Sequence, residues 1–146
     1  MAQTYSTELA GFASFPVAKP SAVAAYGARM RRFRASIALA SQVFGAGNEI
    51  IIAKVPAGLT FAYGVLTTDT SLATSTLSIG TASTAAKYNN AAQTLTATNA
   101  PALFGAAAAA GQAALTLEEQ IQVLVGVANL PASGNLYIDL YFSTPT

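Results

Sequence analysis

The side chains that could do chemistry are few here, and their types and spacing narrow what that chemistry can be. Histidine and cysteine are both absent from the 146 residues. That removes the commonest general base, the imidazole metal ligand, the thiolate nucleophile and the disulfide. The serines therefore have no histidine to activate them. The carboxylates are Glu8, Glu49, Asp69, Glu118, Glu119 and Asp139. Hydrolysis by paired carboxylates needs two of them facing one another across a site. Only Glu118 and Glu119 are adjacent, and in a strand they point to opposite faces. Asp69 lies among Thr67, Thr68 and Thr70, an oxygen-rich group that reads as a turn and lacks the spacing of a calcium loop. Gly45-Ala46-Gly47 precedes a β-rich segment and is not followed by the Gly-Lys-Ser/Thr of a phosphate loop. No catalytic residue, cofactor or metal ligand is assigned, and the expectation is a protein that is not an enzyme.

The basic residues are more concentrated. Arg29, Arg31, Arg32 and Arg34 supply four of the seven Lys and Arg. Strand parity sets Arg29 and Arg31 on the face of Phe33, and Arg32 and Arg34 on the other. Such a cluster suits ion pairing with an acidic partner surface or with Glu118 and Glu119. It also suits a solvated strand entrance, or a grip on nucleic-acid backbone. The net charge of +1 gives no global field to recruit nucleic acid or an anionic membrane, so pairing is the reading carried forward, with neither as a partner. Tyr137, Tyr141 and Phe142 read as rim aromatics of a β-domain, with sugar stacking by Tyr63, Tyr137 or Tyr141 as the alternative.

The elements that hold these residues read mostly as strands. Residues 1–28 have no sustained period, and Phe15-Pro16 and Lys19-Pro20 force extended backbone before each proline. They are expected to form an arm carrying the aromatic anchors Phe12, Phe15 and Tyr26, with residues 29–146 as one domain. After Met30 the period is two, with Phe33, Ala35, Ile37, Leu39, Ser41 and Val43 on one face of a long strand. Glu49 to Val55 follows as a strand apolar on both faces, covered on both sides or at a subunit contact. Pro56-Ala57-Gly58 reads as a turn. The next strand is expected to place Leu59, Phe61, Tyr63 and Val65 together. A short strand at Ser75 to Gly80 turns Leu77 and Ile79 inward, and weaker extended segments lie at Ala85 to Tyr88 and Gln93 to Thr98. The stretch from Asn99 to Gly111 reads as a loop with a helical turn, because five alanines between glycines are too short to stand alone. Two alternating strands close the chain, Leu117 to Val127 and Leu136 to Phe142, read as an antiparallel hairpin. Seven or eight short strands without a long amphipathic helix predict an all-β antiparallel sandwich or jelly roll.

Composition points to contact surfaces. Hydrophobic residues make up 53% of the chain and charged residues only 9%, against roughly 25% charged in an average soluble domain. A monomer with so few charges would be poorly hydrated, so much of its surface is expected to be covered by other chains. The N-terminal residues lack the basic and apolar regions of a secretory signal. The longest uncharged run, Tyr88 to Leu117, is too interrupted to span a bilayer.

The stretch from Val55 to Lys87 resembles small structural proteins of tailed bacteriophages, in particular those that decorate or cement capsids. The resemblance is carried by Pro56-Ala57-Gly58, Asp69-Thr70-Ser71-Leu72 and Leu77-Ser78-Ile79-Gly80-Thr81, with the terminal strand from Asn135 to Phe142 in agreement. It implies a β-sandwich or jelly roll that forms a homo-oligomer, a homotrimer, and binds the major capsid protein. It also implies a place in the virion after assembly in the host cytoplasm. The contacts would come from Phe12, Phe15 and Tyr26 of the arm and from Arg29, Arg31, Arg32 and Arg34. A head-fibre, neck or tail accessory protein that touches host carbohydrate is the alternative.

Overall fold

The computed structural model describes residues 29–40 and 44–144; the expected arm at residues 1–28, with Phe12, Phe15 and Tyr26, lies outside them. The described residues form seven strands: β1 (Arg29–Ala38), β2 (Glu49–Val55), β3 (Thr60–Thr68), β4 (Thr76–Gly80), β5 (Ala102–Phe104), β6 (Glu119–Gly126) and β7 (Asn135–Thr144). One helical turn, α1 (Ala107–Ala110), precedes β6. The strands form two antiparallel sheets ordered β1-β7-β3-β5 and β2-β6-β4, an all-β sandwich. No described helix is long and apolar enough to cross a membrane.

The pairings are nested. β1 pairs with β7, β2 with β6 and β3 with β5, so the chain is a long hairpin folded about its middle. Rolling that hairpin brings β3 beside β7 and β4 beside β6. This is jelly-roll order, with seven strands where the full fold has eight. In place of the eighth, the segment 88–93 lies along β4. Leu77 N–H donates to the Gln93 carbonyl at 2.7 Å, Gln93 N–H returns to Leu77 at 2.9 Å, and Tyr88 N–H donates to the Ile79 carbonyl at 2.9 Å. The Asn89 side chain completes the edge as a peptide group would. Its Oδ1 accepts from Ile79 N–H at 3.0 Å and its Nδ2 donates to the Leu77 carbonyl at 2.8 Å. An edge that would otherwise offer unpaired N–H and C=O groups is thus closed.

Alternation builds the core. Leu136, Ile138, Leu140 and Phe142 of β7 are buried with Ile121, Val123 and Val125 of β6 and Leu77 and Ile79 of β4. Phe61, Tyr88 and Phe142 pack as a ring cluster with centroids 4.6–6.0 Å apart. The Tyr88 hydroxyl donates to Glu119, whose other oxygen takes the Lys87 ammonium at 2.5 Å. Burial, and then Glu119, pushes the Tyr88 phenol well above its usual range.

Four expectations are corrected. Leu117–Val127 and Leu136–Phe142 do not form a hairpin: β6 and β7 lie in different sheets, and the loop between them crosses the sandwich. Leu59, Phe61, Tyr63 and Val65 do not share a face. The register shifts between Phe61 and Tyr63, a bulge that adds one residue and reverses the alternation after it. Phe61 and Leu66 therefore face the core while Tyr63 is exposed. Gly64 takes the inward position because the Phe104 ring lies where a Cβ would stand. The first strand ends at Ala38, with a turn at Leu39 and Ala40; the expected continuation through Ser41 and Val43 lies outside the described residues. Among the segments expected to be extended, 85–88 forms turns and only Gln93 bridges to β4.

Asn89→Ala should lower unfolding stability by about 1–3 kcal/mol, because the Ile79 N–H is left without its partner in a buried position. Urea unfolding of the two proteins reads the loss directly. An unchanged midpoint would show that Asn89 does not hold the edge.

Candidate interaction surface

The outward face of the β1-β7-β3-β5 sheet follows from β7, which is paired on both sides. Residues directly opposite in antiparallel strands share a face. Arg34 and Val65 both lie opposite Asp139, and Leu103 lies opposite Val65. This gives a row Arg34, Asp139, Val65, Leu103 across all four strands. The next row is Arg32, Tyr141 and Tyr63, and the row on the other side is Ser36, Tyr137 and Thr67.

At the centre, Arg34 grips Asp139 with two bonds, Nε to Oδ1 at 2.8 Å and Nη2 to Oδ2 at 2.7 Å. The fork geometry of guanidinium and carboxylate makes this the strong form of ion pair. Arg32 Nε stands 4.0 Å from the same carboxylate. The Arg34 guanidinium also lies 6.0 Å from the centre of the Tyr137 ring. Asp139 is covered to 7% exposure by these neighbours although it lies on the outer face. The Arg34 hydrogen bonds hold its carboxyl below the ordinary 3.8, over the opposing effect of desolvation, and Arg34 is raised in return. Tyr63 and Tyr141 stack across the strands at 4.6 Å and 17°. Leu103 (71% exposed), Met30 (49%) and Tyr63 (41%) are large apolar side chains turned to solvent on this one face.

The expected pairing of the arginines with Glu118 and Glu119 is not what forms. Glu119 is taken by Lys87 and Tyr88, Glu118 is exposed, and the carboxylate on the arginine face is Asp139. Of the four arginines, Arg32 and Arg34 meet around that residue. Arg29 and Arg31 are exposed near the start of β1, opposite Thr144 and Phe142. Asp69 sits in a turn as expected, accepting from Asn135 N–H at 2.6 Å and Asn135 Nδ2 at 2.8 Å; these bonds lower its pKa. Among the described residues, no three of His, Cys, Asp and Glu are grouped so as to hold a metal ion. A groove of about 300 Å³ runs between the edges of β1 and β2, lined by Ala35, Ile37, Phe44, Ile50 and Ile52 among others; among its lining residues, Ser36 alone has a polar side chain.

Tyr63 and Leu103 were assigned no place on an outer face beside the arginines by sequence. Tyr63 is turned outward by the bulge, for which Gly64 inside a strand pattern was the available signal. Leu103 belongs to a strand too short to show a period. What the face offers is Tyr, Arg and Met, residue types enriched at protein interfaces, beside an exposed Leu and a fixed ion pair on one sheet face.

No protein-family model matches the sequence, and no curated protein matches it either. Solved structures share its fold. A chain of the cyanophage Pam1 capsid asymmetric unit matches with a TM-score of 0.60 at 20% identity, covering 82% of this chain and 88% of that one. A chain of the capsid of Ralstonia phage GP4 matches at 0.53 and 17% identity, covering 82% and 85%.

The Asp139 carboxyl has a lowered folded pKa, so its stabilising contribution is present above the unfolded value near 3.8 and fades as pH falls through the folded value. Arg34→Gln should lower the melting temperature at pH 7 and lower it progressively less as the pH falls below 3.8 through the folded Asp139 pKa. Melting curves across pH for the two proteins should therefore converge on acidification. Parallel curves would mean that the pair does not act through Asp139.

Proposed function

We propose that this chain is a non-enzymatic structural protein of a bacteriophage particle, a decoration or cement protein that oligomerises and stabilises the head. The observation that carries the reading is the outer face built on β7. It is stapled by Arg34 and Asp139, and it presents Tyr63, Leu103 and Met30 to solvent with the half-buried Tyr141 stacked on Tyr63. The fold shared with chains from two phage capsid structures supports it, as do the low charge and the sequence resemblance. The partners in this reading are the major capsid protein and further copies of the chain, as a homotrimer, within the virion after assembly in the host cytoplasm. Arg29, Arg31, Arg32 and Arg34 contribute from β1, with Phe12, Phe15 and Tyr26 from the arm.

The mechanism is burial of apolar surface across capsomer boundaries. A standard interface removes about 1,200–2,000 Å² from water, and each Å² of apolar area is worth about 25 cal/mol before the costs of association. Spread over many copies, such contacts raise the barrier to shell rupture. The alternative, a fibre, neck or tail component stacking on carbohydrate, needs open ring faces. Tyr63 and Tyr141 each turn one face to the other, which favours the protein contact.

Purified protein added to expanded heads that lack it should co-sediment with them and raise their rupture temperature. Tyr141→Ala and Leu103→Glu should each weaken that binding about tenfold or more, the loss of ~1–2 kcal/mol expected of a central interface residue. Failure of the wild-type protein to bind heads would sink the reading. Glycan-array binding lost in Tyr63→Ala would replace it with the carbohydrate one.

A further inference from the structure

We propose that the open edge of β1 is covered by this chain's own N-terminal segment, residues 17–25, paired with it as an antiparallel edge strand. The inference does not rest on the capsid reading. β1 and β2 are end strands of their two sheets, and the apolar groove lies between them. The bonding direction of β1 follows from its register. Leu39 N–H donates to the Gly134 carbonyl at 2.9 Å, in line with the pairing of β1 and β7. Bonded pairs alternate along an antiparallel ladder, so the odd-numbered residues of β1 bond to β7. Met30, Arg32, Arg34 and Ser36 therefore turn their N–H and C=O groups to the other side, where no described strand lies. An edge of this kind invites another chain unless it is covered. Among the described residues, the β4 edge has its cover in the segment 88–93, and the β1 edge has none.

Two observations select the occupant. Residues 1–28 lead directly into Arg29, the first residue of β1. They are tethered at one end of the edge, with enough chain to turn back and run its length, so the edge meets them at high effective concentration. Charge is the second observation. A second copy bringing its own β1 antiparallel to this edge would set Arg32 against Arg34 twice over, and like charges directly opposed destabilise a strand pair. The segment from Phe12 to Ala28 carries a single charge, Lys19.

The prolines fix the parity of the pairing. Gly27 is the one glycine between Gly11 and β1, and glycine suits the positive φ of a strand reversal. Pro16 and Pro20 are both even-numbered and cannot donate to a ladder. Pairing the even residues of β1 with odd residues of the segment leaves both prolines where no donor is needed. In the register that sets Ala25 opposite Met30, Val23 meets Arg32, Ser21 meets Arg34 and Lys19 meets Ser36, so no like charges are opposed. Opposed residues share a face. Pro20 and Ala18 then lie inward beside Ala35 and Ile37, which line the groove, and Lys19 stands on the outer face. Phe12 and Phe15 fall beyond the paired stretch and remain for the contacts proposed above.

Amide hydrogen exchange of the full chain, followed residue by residue by NMR, tests the pairing. The amides of Arg32, Arg34 and Ser36 should exchange at least about tenfold more slowly than unpaired peptide, and should keep that protection on dilution. Phe33 and Ala35, bonded to β7 in either case, are the internal reference. Val23→Pro removes a ladder donor and should speed exchange at Arg32 and Arg34 about tenfold, the loss of roughly one hydrogen bond. Ala22→Pro, at an unbonded position, should leave it unchanged, and both variants should leave Phe33 and Ala35 protected. Unprotected Arg32 and Arg34 amides in the wild type overturn the inference, as do equal effects of the two proline variants. Protection lost on dilution overturns it in favour of a second copy's segment. No heads enter the experiment, so its outcome leaves the capsid reading where it stands.

Discussion

The register of β7 is the constraint on which both the core and the outer face depend. Its ten residues alternate strictly, and the strand is paired along its length with β1 and with β3. Leu136, Ile138, Leu140 and Phe142 are buried, while Tyr137, Asp139 and Tyr141 stand on the other side. A slip of one residue would drive Asp139 into the core and turn Phe142 to water, and a buried carboxylate without Arg34 is far costlier than an exposed ring. The Arg34–Asp139 pair is therefore a register device as much as a surface feature. It can form only when Ile138 and Leu140 are inside.

The bulge in β3 is what makes that face adhesive rather than merely polar. Were the same residues paired regularly, without the bulge between Phe61 and Tyr63, the Tyr side chain would fall on the core side with Phe61. With it, Tyr63 rises beside Tyr141 and stacks across the pair. The inward position passes to Gly64, which leaves room for the Phe104 ring. A single insertion thus supplies an exposed aromatic outside and a packed ring inside.

Strand alternation was readable from residues alone in β4 and in the cores of β6 and β7, because each has a half-buried face of Leu, Ile and Val. So was the placement of Asp139 and its tyrosine neighbours on the outer side of β7. Which strand pairs with which was not readable. β6 and β7 look like a hairpin because they are consecutive and alternate cleanly, yet their pairing is decided by hydrogen bonds to strands far away in sequence. Nor did Asn89 declare itself, since a side-chain amide standing in for a peptide group has no periodicity. The stretch from Val55 to Lys87, which carries the family resemblance, has a plain structural counterpart. It supplies β3 and β4, and its Lys87, with Tyr88 beyond it, goes to hold Glu119.

A chain this poor in charge must use each charged group for more than hydration. Three of the described carboxylates tie together segments distant in sequence: Asp69 to Asn135, Glu119 to Lys87 and Tyr88, and Asp139 to Arg34. Carboxylates committed to internal ties do little to keep a surface hydrated or to repel neighbours. Such an arrangement suits a protein whose surfaces are meant to be covered, because every exposed charge must be desolvated or matched when a partner arrives. The ties fix loop to strand and strand to strand, so the faces are held in shape. In the proposed role, low charge, fixed loops and an aromatic sheet face all serve one requirement, a rigid domain that works by being buried.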